Sequence, residues 1–209
     1  MRYRMPILLL VVAVTACGYG APDEVINGQA VAAVKAPSAL FAPSKATYML
    51  APTIRVHDNT SGTNVDSTQP VPAELANQVD TNMQAYGYTK VPFSTNVSAA
   101  SYVLAFQAFL GSNVYGGYYC DWYYYGYPYG CGYYYAGTYN TGTVVLQMAD
   151  LTKVDPPANC TPGSTANCTL PSAWAAVMYG IAGNQAYNAQ IVLSALNRAF
   201  QQSPYLKIN

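Results

Sequence analysis

The chain has 209 residues with nine basic and nine acidic side chains, so its formal net charge is zero. Only 9% of its residues are charged, and the sequence contains no basic run. Nucleic-acid binding needs a clustered positive footprint, and we therefore exclude nucleic acid as a partner. The length is sufficient for one domain with a substantial hydrophobic core.

The first sixteen residues have the features of an export signal. Two arginines form a positive n-region, and the apolar run 7–14 is shorter than the roughly 20 residues of a spanning helix. The segment Val-Thr-Ala-Cys at 14–17 resembles a bacterial lipobox. We therefore predict that residues 1–16 are removed and that lipid chains, including palmitate, are attached to Cys17. Ordinary secretory cleavage after Ala16 is the alternative.

The residues after the signal predict the location and the tether. Gly18 stands where an aspartate would be the inner-membrane retention signal of enterobacteria, so by analogy we predict the outer membrane, on its periplasmic or its surface face. Residues 17–44 are rich in alanine, proline and glycine, which favours a flexible tether that carries the lipidated cysteine. A short helix or edge strand over 25–34 is the alternative.

A single folded domain is predicted over 45–209. It begins with a strand over 47–56, in which Pro52 should produce a bend or an edge position. Apolar residues then recur at helical spacing over 73–86, and Gly87 offers a left-handed stop.

Alternating apolar residues predict three further strands, and a helical stripe predicts one further helix. The strands cover 101–110, 143–150 and 173–181, and the helix over 189–200 ends before Pro204. The element order is β-α-β-β-β-α and the fold class is α+β. We expect a four-stranded, mostly antiparallel sheet with two helices on one face, because this arrangement buries every apolar stripe.

A tyrosine- and glycine-rich insertion at 111–139 separates the second and third predicted strands. Twelve of its 29 residues are tyrosine and seven are glycine. Tyrosine offers a large amphipathic contact area with few rotors to immobilise, which favours a binding surface. Its candidate contact residues are Trp122, Tyr123, Tyr124, Tyr125, Tyr133, Tyr134 and Tyr135. The partner is a cell-wall or lipopolysaccharide glycan, a protein or the membrane surface; alternatively, the insertion only packs on its own sheet.

Four cysteines remain after the lipidated one, and an oxidising compartment permits disulfides among them. Their short separations in sequence favour one bridge between Cys120 and Cys131 and another between Cys160 and Cys168. The second bridge closes a further insertion at 154–172. A four-cysteine zinc site is the competing interpretation, but it needs CxxC-like spacing, which the sequence lacks. We predict neither a metal nor another cofactor.

No group of residues has the spacing of a catalytic site. His57 is the single histidine, and its nearest acid is the adjacent Asp58, so we expect a solvated residue in a loop after the first strand. Glycosidase chemistry needs two neighbouring carboxylates, and spacing brings no two of the nine acids together. Asp150 starts the segment Asp-Leu-Thr-Lys, where it should close an Asx-turn.

Several motifs resemble a family of bacterial lipoprotein domains of unknown function, the one numbered four-one-three-six. The matching residues are Lys-Ala-Thr-Tyr at 45–48, Tyr-Gly-Tyr at 86–88, Gly-Thr-Val-Val-Leu at 142–146 with Asp150, Trp174, and Phe200 with Pro204. The resemblance covers most of 45–205 and implies an exported, membrane-tethered α+β domain without an agreed reaction. Gln147 replaces a frequent aspartate, and Ala175 replaces a frequent basic residue after the tryptophan. A family role that rests on those charges is not carried over.

Together these features predict a non-enzymatic lipoprotein of the outer membrane that acts as an interaction or envelope-maintenance module. Its partners are the membrane, through the lipid on Cys17, and an envelope protein. The alternative is a module that binds peptidoglycan or lipopolysaccharide through the tyrosine-rich insertion. An enzyme would be favoured if the fold brought two acids together in a cleft.

Overall fold

A computed structural model describes twelve stretches of the chain: 24–26, 29–35, 47–63, 65–94, 99–110, 113–115, 118–119, 132–133, 137–139, 142–153, 172–179 and 185–208. Their strands and helices are β1 Glu24–Ile26, β2 Gln29–Lys35, β3 Thr47–Asp58, β4 Val65–Pro70, α1 Ala73–Ala85, β5 Thr89–Lys90, β6 Tyr102–Leu110, β7 Asn113–Tyr115, β8 Tyr118–Tyr119, β9 Gly132–Tyr133, β10 Gly137–Tyr139, β11 Thr143–Asp150, β12 Ser172–Tyr179 and α2 Gln185–Gln201.

Within the described residues, one mixed sheet of eight strands runs in the order β1-β2-β12-β11-β6-β3-β4, with β5 beside β3. β3 is parallel to both β6 and β5, and the other neighbours in this sheet are antiparallel. The four predicted strands form its centre as β3, β6, β11 and β12, and the two predicted helices are α1 and α2. The α+β class is confirmed, but the prediction of a four-stranded sheet is wrong.

The strands outside the four predicted ones have no clear alternation of apolar and polar residues. β2 lies in the segment predicted as a flexible tether, with a short helix or edge strand over 25–34 as the alternative. It pairs with β12 from Ala30 to Lys35, so the tether prediction is wrong there and a strand is present. Its neighbouring residues Val31 and Ala32 are both buried, which explains its continuous apolar sequence. β4 shows the opposite pattern, because all six of its residues are exposed.

Pro52 causes an irregularity in the middle of β3. The register with β6 shifts between Leu50 and Ile54, so the predicted bend is confirmed. The predicted edge position is wrong, because β3 has neighbours on both sides. Proline has no N–H to donate to a ladder, but the Pro52 carbonyl accepts a hydrogen bond from Val71 N at 2.9 Å.

Both helices pack on one face of the sheet, as predicted. The core on this side contains Leu75, Val79, Met83, Leu196 and Phe200 from the helices and Tyr48, Leu104, Phe106, Leu146, Met148, Trp174 and Met178 from the strands. Trp174 is its largest fully buried side chain; its indole Nε1 donates to Ser203 Oγ at 2.9 Å, and its ring lies 5.2 Å from that of Phe200. Gly87 has the positive φ of +92° that the prediction required after α1.

The opposite face of the sheet has an apolar part and a polar part. In the apolar part, side chains of β3, β6 and β11 pack with the segments that follow β5 and β11. These residues are Met49, Ala51, Val103, Ala105, Ala149 and Leu151, with Val91 and Phe93 beside them. The polar part lies further along β3 and β6, and it contains the histidine.

Candidate functional site

The polar part of the second face is formed by residues from three neighbouring strands. Arg55 and His57 alternate along β3, so both point away from the helices. Asp66 of β4 lies directly opposite His57 in the ladder, and Gln107 of β6 lies opposite Arg55 on the other side. We call Arg55, His57, Asp66 and Gln107 the polar cluster.

One carboxylate joins the two basic side chains of the cluster. Arg55 Nη2 donates to Asp66 Oδ2 at 2.6 Å, and His57 Nδ1 lies 2.9 Å from Asp66 Oδ1. The imidazole also hydrogen-bonds the Gln107 side chain and stacks on Phe109, with ring centroids 4.7 Å apart and planes 14° apart. Arg55 is 7% exposed and His57 is 1% exposed, so a molecule in solution has no direct access to either group.

The electrostatics of the cluster favour a neutral histidine beside an ionised aspartate. Burial lowers the pKa of His57, and the opposing effect of the Asp66 hydrogen bond and charge is smaller. Burial raises the pKa of Asp66, but the hydrogen bonds and charges of Arg55 and His57 outweigh it, so the net pKa of that carboxyl is lowered. At neutral pH the imidazole therefore donates its Nδ1–H to the carboxylate.

The position of His57 corrects the sequence-based expectation of a solvated loop residue. β3 continues to Asp58, and the imidazole is buried on the second face. Its acid is Asp66, because an antiparallel turn brings β4 back along β3, while Asp58 instead accepts hydrogen bonds from Thr60 N and Oγ1 at 2.9 and 2.6 Å. The alternation of Arg55 and His57 was the signal in the sequence that the strand continued.

The two departures from the family pattern lie opposite each other in the structure. Gln147 of β11 pairs with Ala175 of β12 across the antiparallel ladder, on the second face. Gln147 is 2% exposed, and no described group hydrogen-bonds its Oε1. An acid and a base at these two positions would face each other across the ladder, whereas here an amide faces a methyl group.

Two further described acids, Asp150 and Asp80, have local structural roles. Asp150 closes the predicted Asx-turn, because its Oδ1 accepts from Thr152 N at 2.9 Å and from Thr152 Oγ1 at 2.6 Å. Asp80 accepts from Tyr48 Oη at 2.7 Å and from Lys90 Nζ at 2.6 Å. Burial, with the Asp80 contact added, raises the pKa of Tyr48 far above its usual range. Across the stretches with described side chains, no group of three or more histidine, cysteine or acidic residues could hold a metal ion.

An accessible cavity of about 220 Å³ opens on the helix face of the sheet. It lies between the N-terminal halves of α1 and α2, over β3 and β11, and its lining residues are Ile54, Pro72, Glu74, Leu75, Val144, Ala189, Val192 and Leu193. Glu74 is exposed, and it is the only charged residue in this lining. Apolar cavities of roughly 150 Å³ hold a benzene ring, so this apolar pocket can accept one ring or a short aliphatic group.

The tyrosine-rich insertion contains two short antiparallel ladders. β7 pairs with β10, and β8 pairs with β9, in nested register. Tyr133 lies in β9 but its side chain is not described, and the other candidate contact residues, Trp122, Tyr123, Tyr124, Tyr125, Tyr134 and Tyr135, lie outside the described residues. The last described pair of the β8–β9 ladder is Tyr119 with Gly132.

The predictions for the N-terminus and the cysteines stay predictions. Residues 1–23, with Cys17, lie outside the described residues, and so do the four cysteines Cys120, Cys131, Cys160 and Cys168. The insertion at 154–172 is described only at its last residue, Ser172. Neither of the two described helices has the length and apolar character that crossing a membrane requires.

Comparisons with known proteins agree with the fold. A crystal structure of a DUF4136 family protein from Bacteroides thetaiotaomicron is similar at a TM-score of 0.60 and 20% sequence identity, over 87% of this chain and 98% of that one. The PelC dodecamer from Paraburkholderia phytofirmans matches 87% of this chain and 99% of its own at 12% identity, but its TM-score of 0.37 supports no argument. No curated protein is significantly similar in sequence.

The family follows from the sequence match. Residues 41–205 match the family described as domain of unknown function, DUF4136, which is well over half of the 209 residues. The motifs at 45–48 and 142–146 lie inside that range, at the start of β3 and of β11. The resemblance identified from those motifs is confirmed, and the chain belongs to the DUF4136 family.

Proposed function

We propose that this chain is a lipid-anchored module of the bacterial outer membrane that binds an envelope protein and catalyses no reaction. The export signal and the lipobox ending at Cys17 support the anchor. The binding role is supported by one contrast in the described structure. The accessible cavity is lined by apolar residues, whereas the histidine, arginine and aspartate that could do acid–base chemistry are hydrogen-bonded to each other on the second face.

The apolar pocket has the features of an anchor site for a partner side chain. Binding energy in protein interfaces concentrates in a few large apolar groups that fill well-packed pockets. The volume of about 220 Å³ suits one such group, and Leu75 and Val192 form part of its buried wall. Glu74 at the exposed rim would meet a polar or basic neighbour of that anchor.

Membrane fractionation tests the anchor. Cys17→Ser should abolish labelling by a lipid precursor and either release the protein from membranes or leave the signal uncleaved. A wild-type sample processed in parallel is the control. A processed Cys17→Ser protein that stays on the membrane would contradict the proposed anchor.

In-cell photo-crosslinking tests the binding role. A photo-reactive residue at Glu74, on the rim of the pocket, should yield a defined protein adduct. The same residue at Gln84, which is exposed further along α1, serves as the matched control. Adducts of equal yield from both positions, or from neither, would contradict the proposal that the pocket contacts a partner.

Glycan binding through the tyrosine-rich insertion is the second proposal, supported by the twelve tyrosines between 111 and 139. Purified protein should then be retained by isolated peptidoglycan or by lipopolysaccharide. Replacing Tyr123, Tyr124 and Tyr125 together with serine should remove the retention and leave the melting temperature unchanged. A variant that loses folding and retention together would contradict this second proposal.

A further inference from the structure

β4 is an edge strand that is exposed along its whole length. Among the described strands it pairs only with β3, and each of its six residues is exposed. Val65, at its start, is the most exposed of the described large apolar side chains, at 54%. The opposite edge of the sheet, β1, has only three residues. β4 is therefore the longer edge that could accept another strand.

The free backbone groups of β4 can be assigned from its hydrogen bonding. Val71 N donates to Pro52 O on β3. In an antiparallel strand, the backbone N–H and C=O groups of alternate residues point toward the same neighbouring strand. The backbone N–H and C=O groups of the odd-numbered residues of β4 therefore point toward β3. The N–H groups of Asp66 and Thr68 point outward from the edge, in the plane of the sheet. The direct contact of Asp66 with His57 agrees, since side chains lie closest in the pairs that lack backbone hydrogen bonds.

Devices that usually protect an edge are scarce in β4. It contains no lysine, and its register with β3 runs without a shift from Thr53↔Pro70 to Asp58↔Val65. Pro70 blocks only the last position. Asp66 is the single charge, and it is already tied to Arg55 and His57 on the second face.

We propose that β4 pairs antiparallel with β4 of a second copy of this chain, around a two-fold axis at Ser67. An axis perpendicular to the sheet keeps equivalent faces on the same side. Each even-numbered residue therefore lies opposite an even-numbered residue of the second copy, and each odd-numbered residue opposite an odd-numbered one. In this register Asp66 lies opposite Thr68 of the second copy, and their outward N–H and C=O groups bond each other. The hydroxyl of Thr68 then faces the Asp66 carboxylate, and the two carboxylates avoid direct opposition.

The size of the contact indicates where this dimer forms. A strand of six residues is about 20 Å long, and a pair of such edges belongs to the small, weak class of interfaces. Two copies held on one membrane meet at a far higher effective concentration than two copies in dilute solution. This step rests on the proposed lipid anchor, whereas the edge pairing itself does not.

Cysteine crosslinking tests the register. Cα atoms in a directly opposed pair are about 4.5–5.5 Å apart, within reach of a disulfide. Ser67→Cys in the full chain should therefore give a 67–67 bridge in isolated membranes, identified by peptide mapping. Gln69→Cys is the matched control, because it lies on the same exposed face but about 14 Å from its equivalent in the second copy. Equal crosslinking of both variants overturns the proposal, and so does the absence of a 67–67 bridge both in membranes and in the concentrated purified protein.

A proline variant tests the backbone pairing. Thr68→Pro removes an outward N–H and leaves the ladder with β3 intact, so the 67–67 bridge should be lost at an unchanged melting temperature. Persistence of the bridge in the folded Thr68→Pro variant overturns the proposal.

The Ser67→Cys protein, purified and concentrated, should crosslink even with Cys17→Ser present. Failure there contradicts the edge pairing, whereas failure only on membranes contradicts the anchor.

Discussion

The core of the helix face and the polar part of the second face both contain buried side chains but differ in chemistry. On the helix face, Phe106 and Trp174 pack against the helices in an almost entirely apolar core. On the second face, His57 and Gln107 are just as inaccessible, yet they depend on hydrogen bonds and on a carboxylate from an edge strand. Apolar packing therefore stabilises the helix face, whereas the buried groups in the polar part of the second face need complementary polar partners.

Removing the largest buried side chain of the helix face should have the largest effect. Trp174→Ala deletes a ring that is 1% exposed and the donor to Ser203 Oγ. We expect the free energy of unfolding to fall by about 3–5 kcal/mol, as for other buried Trp→Ala changes. Urea unfolding followed by circular dichroism measures this loss. A loss below that of the second-face variant described next would contradict the assignment of the main core.

Removing the shared carboxylate should break the polar cluster of the second face. Asp66→Ala leaves Arg55 buried without its 2.6 Å partner, and we expect a loss of about 1–3 kcal/mol, because the aspartate is partly exposed. Asp58→Ala is the matched control, because this exposed carboxylate at the end of β3 accepts its hydrogen bonds from Thr60 in the turn that follows. Equal losses for both variants, measured in urea, would show that the cluster does not stabilise the fold.

The stability of the second face should depend on pH through His57. Burial lowers the pKa of the folded imidazole, while the unfolded one titrates near pH 6.5. Between these two values the unfolded chain binds more protons, so stability is complete above about pH 6.5 and falls as the pH drops through the folded pKa. Melting temperatures from pH 7.5 to 5 should fall less in His57→Gln than in the wild type. Parallel curves would contradict this assignment.

The smallest expected effect is a difference in stability between substitutions of two buried glutamines on the second face. Gln147→Leu removes an Oε1 that no described group hydrogen-bonds, so we expect it to be neutral or to stabilise by up to about 1 kcal/mol. Gln107→Leu removes a hydrogen bond to His57 and should be destabilising. Urea unfolding of the two variants gives the comparison, and a Gln147→Leu variant less stable than Gln107→Leu would contradict it.

The same comparison explains what could be predicted from the sequence. The helix face follows from periodicity: the apolar stripes of α1, α2, β6, β11 and β12 each appear in the sequence at the spacing of one buried face. β4 could not be recognised, because all six of its residues are exposed and show no alternation. A strand in the region of β2 was only the alternative prediction, because both of its faces are partly buried and its alanine- and valine-rich run shows no alternation.

The candidate site was less predictable because it depends on pairing. Arg55, His57 and Asp66 become neighbours only when β4 folds back along β3, and nothing in their spacing indicates that register. The apolar pocket likewise needs Leu75 of α1 and Val192 of α2 side by side, which the linear order of the helices does not predict. The parallel pairing of β3 with β6 is a further non-local feature.

The most direct test of the proposed binding role is to fill the apolar pocket. Ala189→Phe places a ring at the wall of the pocket, and Ser194→Phe places the same ring at an exposed position on α2 that does not line it. The measurement is the yield of the photo-adduct formed from position 74 in cells, with melting temperatures recorded for both variants. We predict that Ala189→Phe loses the adduct and that Ser194→Phe keeps it, both at wild-type stability. Equal adduct yields from the two folded variants would contradict the proposed role of the pocket.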